Sequence, residues 1–245
     1  MSVRALLLAA LLVGCEKTTT PLQGNPGVQP TAGSRVELVT LDDVTLVADA
    51  WVQSEPAPGV VFLHMTPRGP WTRADWPDTL MESLHQQGLS VIRLDRRGAG
   101  ESGGEAVDAF EGPLGRNDVE AAVRYLTQAG MTELGVVGAS NGSTSAIDYA
   151  AWAAGAGHPS VHALAMMSPG TYTENQTAVA DLPELPVLVQ YPATESDWPA
   201  SIQASVPATW QFVEYEGSTH GTQLFEAHDA VAAELDAFLV DTLMD

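Results

Sequence analysis

The chain has 245 residues, of which 31 are acidic and only 10 are lysine or arginine, giving a formal net charge of -21. That balance argues against binding nucleic acid through a basic surface, and no basic patch interleaved with aromatic residues is visible. It predicts a solvated acidic face that favours solubility and repels anionic substrates at low salt. Cys15 is the only cysteine, so no intrachain disulfide can form and no second thiol exists for catalysis or metal binding.

The chain begins with Arg4 in a positive segment, a short apolar run over 5–13, and the ending Leu12-Val13-Gly14-Cys15. This order reads as an export signal, and about ten apolar residues are too few to cross a hydrocarbon core that needs about twenty. The ending resembles the lipobox of bacterial lipoproteins. The resemblance implies cleavage before Cys15, acylation of its thiol and new amino terminus, and an extracytoplasmic protein held on a bacterial membrane. An ordinary secretory peptide that happens to contain Cys15 is the alternative. Residues 16–34 turn to Thr, Pro, Gly and Gln with almost nothing to bury, which predicts a flexible tether. The expected organisation is a signal peptide over 1–14, the lipidated cysteine and linker over 15–34, and one folded domain over 35–245.

Within that domain, 35–40 and 44–52 alternate like half-exposed antiparallel strands joined at Asp42-Asp43. Val60-Val61-Phe62-Leu63, Val91-Ile92-Arg93-Leu94, Leu134-Gly135-Val136-Val137 and Val187-Leu188-Val189 are denser apolar runs, as expected of strands buried on both faces. Residues 210–215 read as another strand. Apolar residues at helical spacing fill 76–87, 117–128 and 141–154, and a last helix from about Gln223 closes the chain. Strand alternating with helix implies a mostly parallel sheet covered by helices on both faces.

The pentapeptide Gly138-Ala139-Ser140-Asn141-Gly142 falls where a strand turns sharply into a helix, which is the setting of a nucleophile elbow. Small neighbours are required because the serine backbone is strained and bulk two positions away would strike the adjacent strand. Gly100-Glu101-Ser102-Gly103-Gly104 has the same spelling. It follows no strand directly and leads into no immediate helix, so Ser102 reads as a loop serine. Gly98-Ala99-Gly100-Glu101-Ser102-Gly103 also spells a dinucleotide fingerprint, but it comes after three strands and opens no helix inside the glycines, so a backbone-packing role is expected.

A serine hydroxyl attacks only if a base takes its proton, and that base needs a carboxylate to hold its tautomer. The loop after the strand over 186–191 carries Glu195 and Asp197, and the loop after 210–215 carries His220 between Gly217-Ser218-Thr219 and Gly221. Loops at the carboxyl ends of parallel strands share one edge, so Ser140, His220 and the acid can converge. The other histidines have weaker claims: His85 and His228 read as helical, and His158 and His162 flank a strand start. No His-Glu-x-x-His or paired-cysteine pattern suggests a metal. Two oxyanion donors are expected, the backbone N–H of Asn141 and one from His64-Met65-Thr66-Pro67. Pro67 has no N–H, and Met65 is preferred over Thr66.

These motifs together resemble the α/β-hydrolase superfamily over 35–245, in particular small bacterial members similar to dienelactone hydrolases or serine peptidases. Asp95-Arg96-Arg97-Gly98-Ala99-Gly100-Glu101-Ser102 is similar to the family's D-x-R-G-x-G-x-S loop, Asn117-Asp118-Val119-Glu120-Ala121-Ala122 to the start of the helix before the elbow, and Gly217-Ser218-Thr219-His220-Gly221 to the histidine loop. The resemblance implies an α/β-hydrolase fold with a mostly parallel eight-stranded sheet, and Glu195 as the acid with Asp197 as the alternative. The chain departs from the family in carrying His64-Met65 where members often have His-Gly, and glutamate where aspartate is usual. Residues 168–185, after the sixth strand, are too few for a separate cap domain. An open cleft follows, with Trp71, Tyr191 and Trp198 in loops at its edge. The function implied is cleavage of a small-molecule ester through an acyl-enzyme, with no cofactor and no metal. An acyltransferase, a thioesterase or a peptidase of the same fold, or a non-catalytic binding module built on it, are the alternatives.

Overall fold

The computed structural model describes residues 33–110, 113–172 and 179–244. The leader, Cys15 and nearly all of the tether lie outside the described residues.

Eight strands form one sheet: β1 (Ser34–Val39), β2 (Thr45–Trp51), β3 (Gly59–Leu63), β4 (Ser90–Leu94), β5 (Leu134–Ala139), β6 (Ala163–Met167), β7 (Val187–Pro192) and β8 (Trp210–Tyr215), in the order β1-β2-β4-β3-β5-β6-β7-β8. β2 pairs antiparallel with β1 and with β4, and every other pairing is parallel. The β1–β2 turn takes Asp43 to φ 62, a backbone region that aspartate tolerates better than bulky residues.

The central strands have no exposed residue, and their alternation splits the core in two. Val61, Leu63, Val136, Leu164, Met166 and Val189 face one way. They meet α3 (Gly115–Gln128) and α4 (Asn141–Ala156), with α5 (Asp197–Gln203) beyond. Val60, Phe62, Val137, Ala165, Met167 and Leu188 face the other way, against α1 (Asp78–Gln86) and α7 (Ala230–Leu243). A period of two along each strand therefore feeds both layers. Among the described residues no separate cap domain interrupts the sheet, and β6 ends at Met167 with β7 starting at Val187.

Three boundaries differ from expectation. A five-residue helix, α2 (Ala106–Phe110), starts four residues after Ser102. Glu195 ends a 3-10 turn and Asp197 opens α5, so the region expected as one loop is two short helical turns. The closing helix is broken into α6 (Leu224–Ala227) and α7 by His228, whose extended backbone lets its ring stack on Tyr215 at 5.2 Å and meet the Glu216 carbonyl at 2.9 Å.

The loop after β4 is tied down by charge. Arg97 donates from Nε to Asp118 Oδ1 at 2.7 Å and from its backbone N–H to Oδ2 at 3.0 Å, and its two terminal nitrogens grip Asp42 at 2.7 and 3.0 Å. Both Arg97 and Asp118 are fully buried. Removing one partner of such a pair strands the other charge. Asp118→Ala is therefore expected to lower unfolding free energy by about 3–5 kcal/mol, read as a shift in urea midpoint; a loss below about 1 kcal/mol, the range of exposed pairs, would refute the structural role given to this contact.

Candidate active site

β5 runs straight into α4, and the residue between them, Ser140, has φ 51 and ψ -125. A non-glycine residue there is strained by roughly 1–3 kcal/mol. Its neighbours hold it: the Ser140 N–H donates to Met167 O at 2.7 Å, and the Ser143 N–H and hydroxyl both donate to Ser140 O, at 3.0 and 2.5 Å. A Cβ on Gly142 would lie 2.6 Å from the carbonyl oxygens of Leu63 and His64, so glycine lets α4 press against the end of β3. Gly138 has a different reason from the one expected: its Cβ would meet Gly142 O at 2.5 Å and Ser143 N at 2.6 Å, the start of the helix rather than the neighbouring strand.

His220 Nε2 lies 2.7 Å from Ser140 Oγ, and His220 Nδ1 lies 2.6 Å from Glu195 Oε1. A carboxylate only accepts, so Nδ1 carries the proton and Nε2 is free to accept from the serine hydroxyl. β5, β7 and β8 thus deliver the three groups to one sheet edge. Asp197 does not join them: it is exposed in the first turn of α5, two residues beyond the acid in contact with the histidine. The histidine loop is held by Thr194, whose N–H and hydroxyl donate to Gly217 O at 3.3 and 3.2 Å. Gly221, at φ 58, sits so close to the Met65 side chain that a Cβ would come within 2.3 Å of its sulfur.

Asn141 opens α4, so its N–H belongs to the first turn that lacks a helical acceptor. Met65 is buried just after β3. Among the described residues the Met65 N–H donates to no backbone carbonyl. Its own carbonyl accepts from His64 Nδ1 at 3.0 Å, while His64 Nε2 accepts from the Arg96 N–H at 2.9 Å. That pattern fixes His64 as the neutral tautomer protonated on Nδ1.

Three residues at this edge carry no sequence signal strong enough to single them out. Ser168, at φ 48, accepts on its hydroxyl from the Gly221 N–H at 2.9 Å and so ties the histidine loop to the end of β6. Tyr172 donates to Ser168 O at 2.9 Å and stands edge-on to the His220 ring at 6.2 Å; burial, helped by the Glu195 charge, pushes its phenol up to about 12. Arg96, the unspecified position of the loop motif, is fully buried behind Asn141. Ser102, in contrast, is structural: its hydroxyl accepts from the Val47 N–H at 2.8 Å and donates to Asp95 O at 2.6 Å. The glycines around it pack backbone, since a Cβ on Gly98 would strike Ala106 N at 2.2 Å.

Of the three aromatics expected at the cleft, Trp198 lines a cavity. That space of about 560 Å³ lies between residues 179–184, α5 and Trp210, and none of Ser140, His220 or Glu195 borders it. Tyr191 is a buried core residue within β7, and Trp71 packs on the opposite face of the sheet. Among the described residues no His, Cys, Asp or Glu side chains group as metal ligands.

The sheet order, the strained serine between β5 and α4 and the edge where three loops meet define an α/β-hydrolase. More narrowly, the chain belongs to the family described as serine aminopeptidase, S33, whose model matches residues 60–200; the elbow and Glu195 fall inside that span and His220 beyond it. No curated protein matches the chain. Among solved structures it is similar to an esterase from Pyrococcus furiosus, with 16% identity and a TM-score of 0.68 over 86% of this chain and 93% of that one. An alpha-beta serine hydrolase homologue from Coxiella burnetii shares 18% identity, with a TM-score of 0.65 over 86% and 97%. A serine hydrolase without lid from Xanthomonas campestris shares 16%, with a TM-score of 0.61 over 88% and 95%. At these identities the likeness is one of fold.

His64 yields a pH prediction. Burial, reinforced by the Arg96 charge, pushes its pKa from 6.5 down to about 3. Between those values the unfolded chain binds a proton that the folded chain does not, so stability falls as pH drops from 6.5. One such group contributes about 1.4 kcal/mol per pH unit. His64→Asn, which keeps a donor at the Nδ1 position and cannot titrate, is expected to flatten the urea-midpoint profile between pH 6 and 4.5 by about that slope; identical profiles would contradict the neutral, buried assignment.

Proposed function

We propose that the protein is a serine esterase in which Ser140, His220 and Glu195 work as a catalytic triad. The observation that carries the reading is the unbroken line from the strained Ser140 through His220 to Glu195, at 2.7 and 2.6 Å. In the proposed reaction Ser140 Oγ bonds to the ester carbonyl carbon as His220 Nε2 takes its proton, and the carbonyl π pair moves onto oxygen. The backbone N–H groups of Asn141 and Met65 hold that oxyanion. On collapse the bond to the alcohol oxygen breaks, His220 returns its proton to the leaving alcohol, and water repeats the sequence on the acyl-enzyme. Glu195 holds His220 in the required tautomer and balances its transient charge.

A fluorophosphonate probe is expected to label the wild type, and Ser140→Ala is expected to remain unlabelled; equal labelling would overturn the nucleophile assignment. Glu195→Gln supplies the wrong partner for Nδ1 and is expected to lower kcat by about a thousandfold or more, while Asp197→Asn stays within about threefold, as expected for an exposed group outside the machinery. The reverse order would move the acid to Asp197. Esters, thioesters, amides and added acceptor alcohols offered in parallel separate the esterase from a thioesterase, a peptidase or an acyltransferase. Labelling without turnover on any of them would support the non-catalytic module.

We further propose, on the sequence of the leader, that Cys15 is acylated and holds the hydrolase domain on the outer side of a bacterial membrane. Radiolabelled palmitate is expected to enter the wild type and not Cys15→Ser, which is expected in the soluble fraction. Equal incorporation in both would contradict the anchor.

A further inference from the structure

Adjacent arginines in the loop after β4 are treated in opposite ways. Arg97 is held by two carboxylates, Asp118 and Asp42. Arg96 has no exposed surface, and every acceptor around it is neutral. Its Nη1 donates to Met65 O at 3.0 Å, to His64 O at 3.4 Å and to Asn141 Oδ1 at 3.0 Å; its Nη2 donates to Ser145 Oγ at 2.8 Å and Ala109 O at 3.4 Å. Among the described residues no carboxylate hydrogen-bonds to it; the Asp118 carboxylate, which Arg97 grips, acts on it only through its charge. Burial draws its pKa down to about 10, so it remains a cation at neutral pH. An unpaired buried ion is costly to a fold, and this chain has 31 acidic residues from which a partner could be drawn.

Apart from Ala109 O in α2, the acceptors fall on two segments. His64 and Met65 follow β3, while Asn141 and Ser145 lie in the first turns of α4. These are the segments whose N–H groups are assigned to the oxyanion. The His64 carbonyl and the Met65 N–H also form one peptide group, so a cation at the oxygen end increases the positive charge at the hydrogen end. A guanidinium with donors in a rigid fork can hold both segments at once, which a lysine cannot do in the same way.

We propose that Arg96 is a positioning residue for the oxyanion site: it locks the Met65 loop to the start of α4, and its unpaired positive charge stabilises the oxygen anion that forms between their N–H groups. The proposal rests on Ser140 being the acyl-accepting nucleophile. Arg96 gives up and takes no proton in this scheme. It acts on a charge that exists only in the transition state and the tetrahedral intermediate, so its removal lowers kcat and leaves KM nearly unchanged.

The test uses the purified full chain with p-nitrophenyl acetate, rates being normalised to the fraction of sites that react with fluorophosphonate. Arg96→Gln removes the charge, and Arg96→Lys keeps it while losing the fork. Ser145→Ala keeps the arginine and removes one of its acceptors. The expected result for Arg96→Gln is a kcat about a hundredfold lower with KM within about threefold, about tenfold of the loss being recovered in Arg96→Lys. Ser145→Ala is expected to lose about fivefold in kcat and serves if Arg96→Gln does not fold. Affinity for an alkylboronic acid, which forms an anionic tetrahedral adduct, is expected to fall in proportion to kcat/KM across the variants. Equal losses in the Gln and Lys variants, boronate affinity that does not follow the rate, or normalised rates within twofold of wild type in Ser145→Ala and threefold in Arg96→Gln would overturn it. A wild type unlabelled at Ser140 would be seen before any variant is made, and would remove the esterase reading itself.

Discussion

The constraint on which the site depends is the strained backbone of Ser140. A strand that flows into a helix without a loop must reverse direction within one residue, and that residue is forced into a region side chains avoid. The strain persists because the surroundings over-determine it: Met167 O binds its N–H, Ser143 binds its carbonyl twice, and Gly142 brings α4 against the last carbonyls of β3. The same close approach sets Asn141 beside the Met65 loop. Geometry at the proposed nucleophile and geometry at the proposed oxyanion donors are therefore two consequences of one contact between α4 and β3.

Arginine–carboxylate pairs brace the loop after β4, next to that contact. Asp95 is fully buried; it accepts from the backbone N–H groups of Arg73 and Glu101, at 2.8 and 2.9 Å, and pairs with the Arg73 side chain. Arg97 spans Asp118 and Asp42. These bonds explain why the loop over 95–102 is spelled with glycines: a Cβ on Gly100 would fall within 2.1 Å of the Asp95 carboxylate. Their effect is to fix the one residue between them, Arg96, under the reacting groups. The resemblance of this loop to a dinucleotide fingerprint comes from the same need for glycine at tight turns, without the helix start that would hold a phosphate.

Legibility in the sequence followed local physics. β5, α4 and β8 were readable because a dense or alternating apolar run met a clear boundary, and His220 was readable because positive-φ glycines flank it. β6 was harder to delimit, since Ala163 and Ala165 weaken its apolar signal. The break at His228 depends on ring stacking against Tyr215, a contact between residues far apart in sequence. Spacing alone left Glu195 and Asp197 open, and the answer lies in how the 3-10 turn after β7 aims one carboxylate at His220 while α5 points the other into solvent. Ser168, Tyr172 and Arg96 were invisible because their roles exist only once β6, β3 and α4 are side by side.

The central claim is that Ser140 becomes covalently acylated, and it is tested most directly by trapping that intermediate. Wild-type protein mixed briefly with p-nitrophenyl acetate and quenched in acid is expected to show a burst of nitrophenol and a single acetyl group, mapped by mass spectrometry to Ser140. Acetyl on Ser102 or elsewhere, or the same modification in Ser140→Ala, would contradict the account.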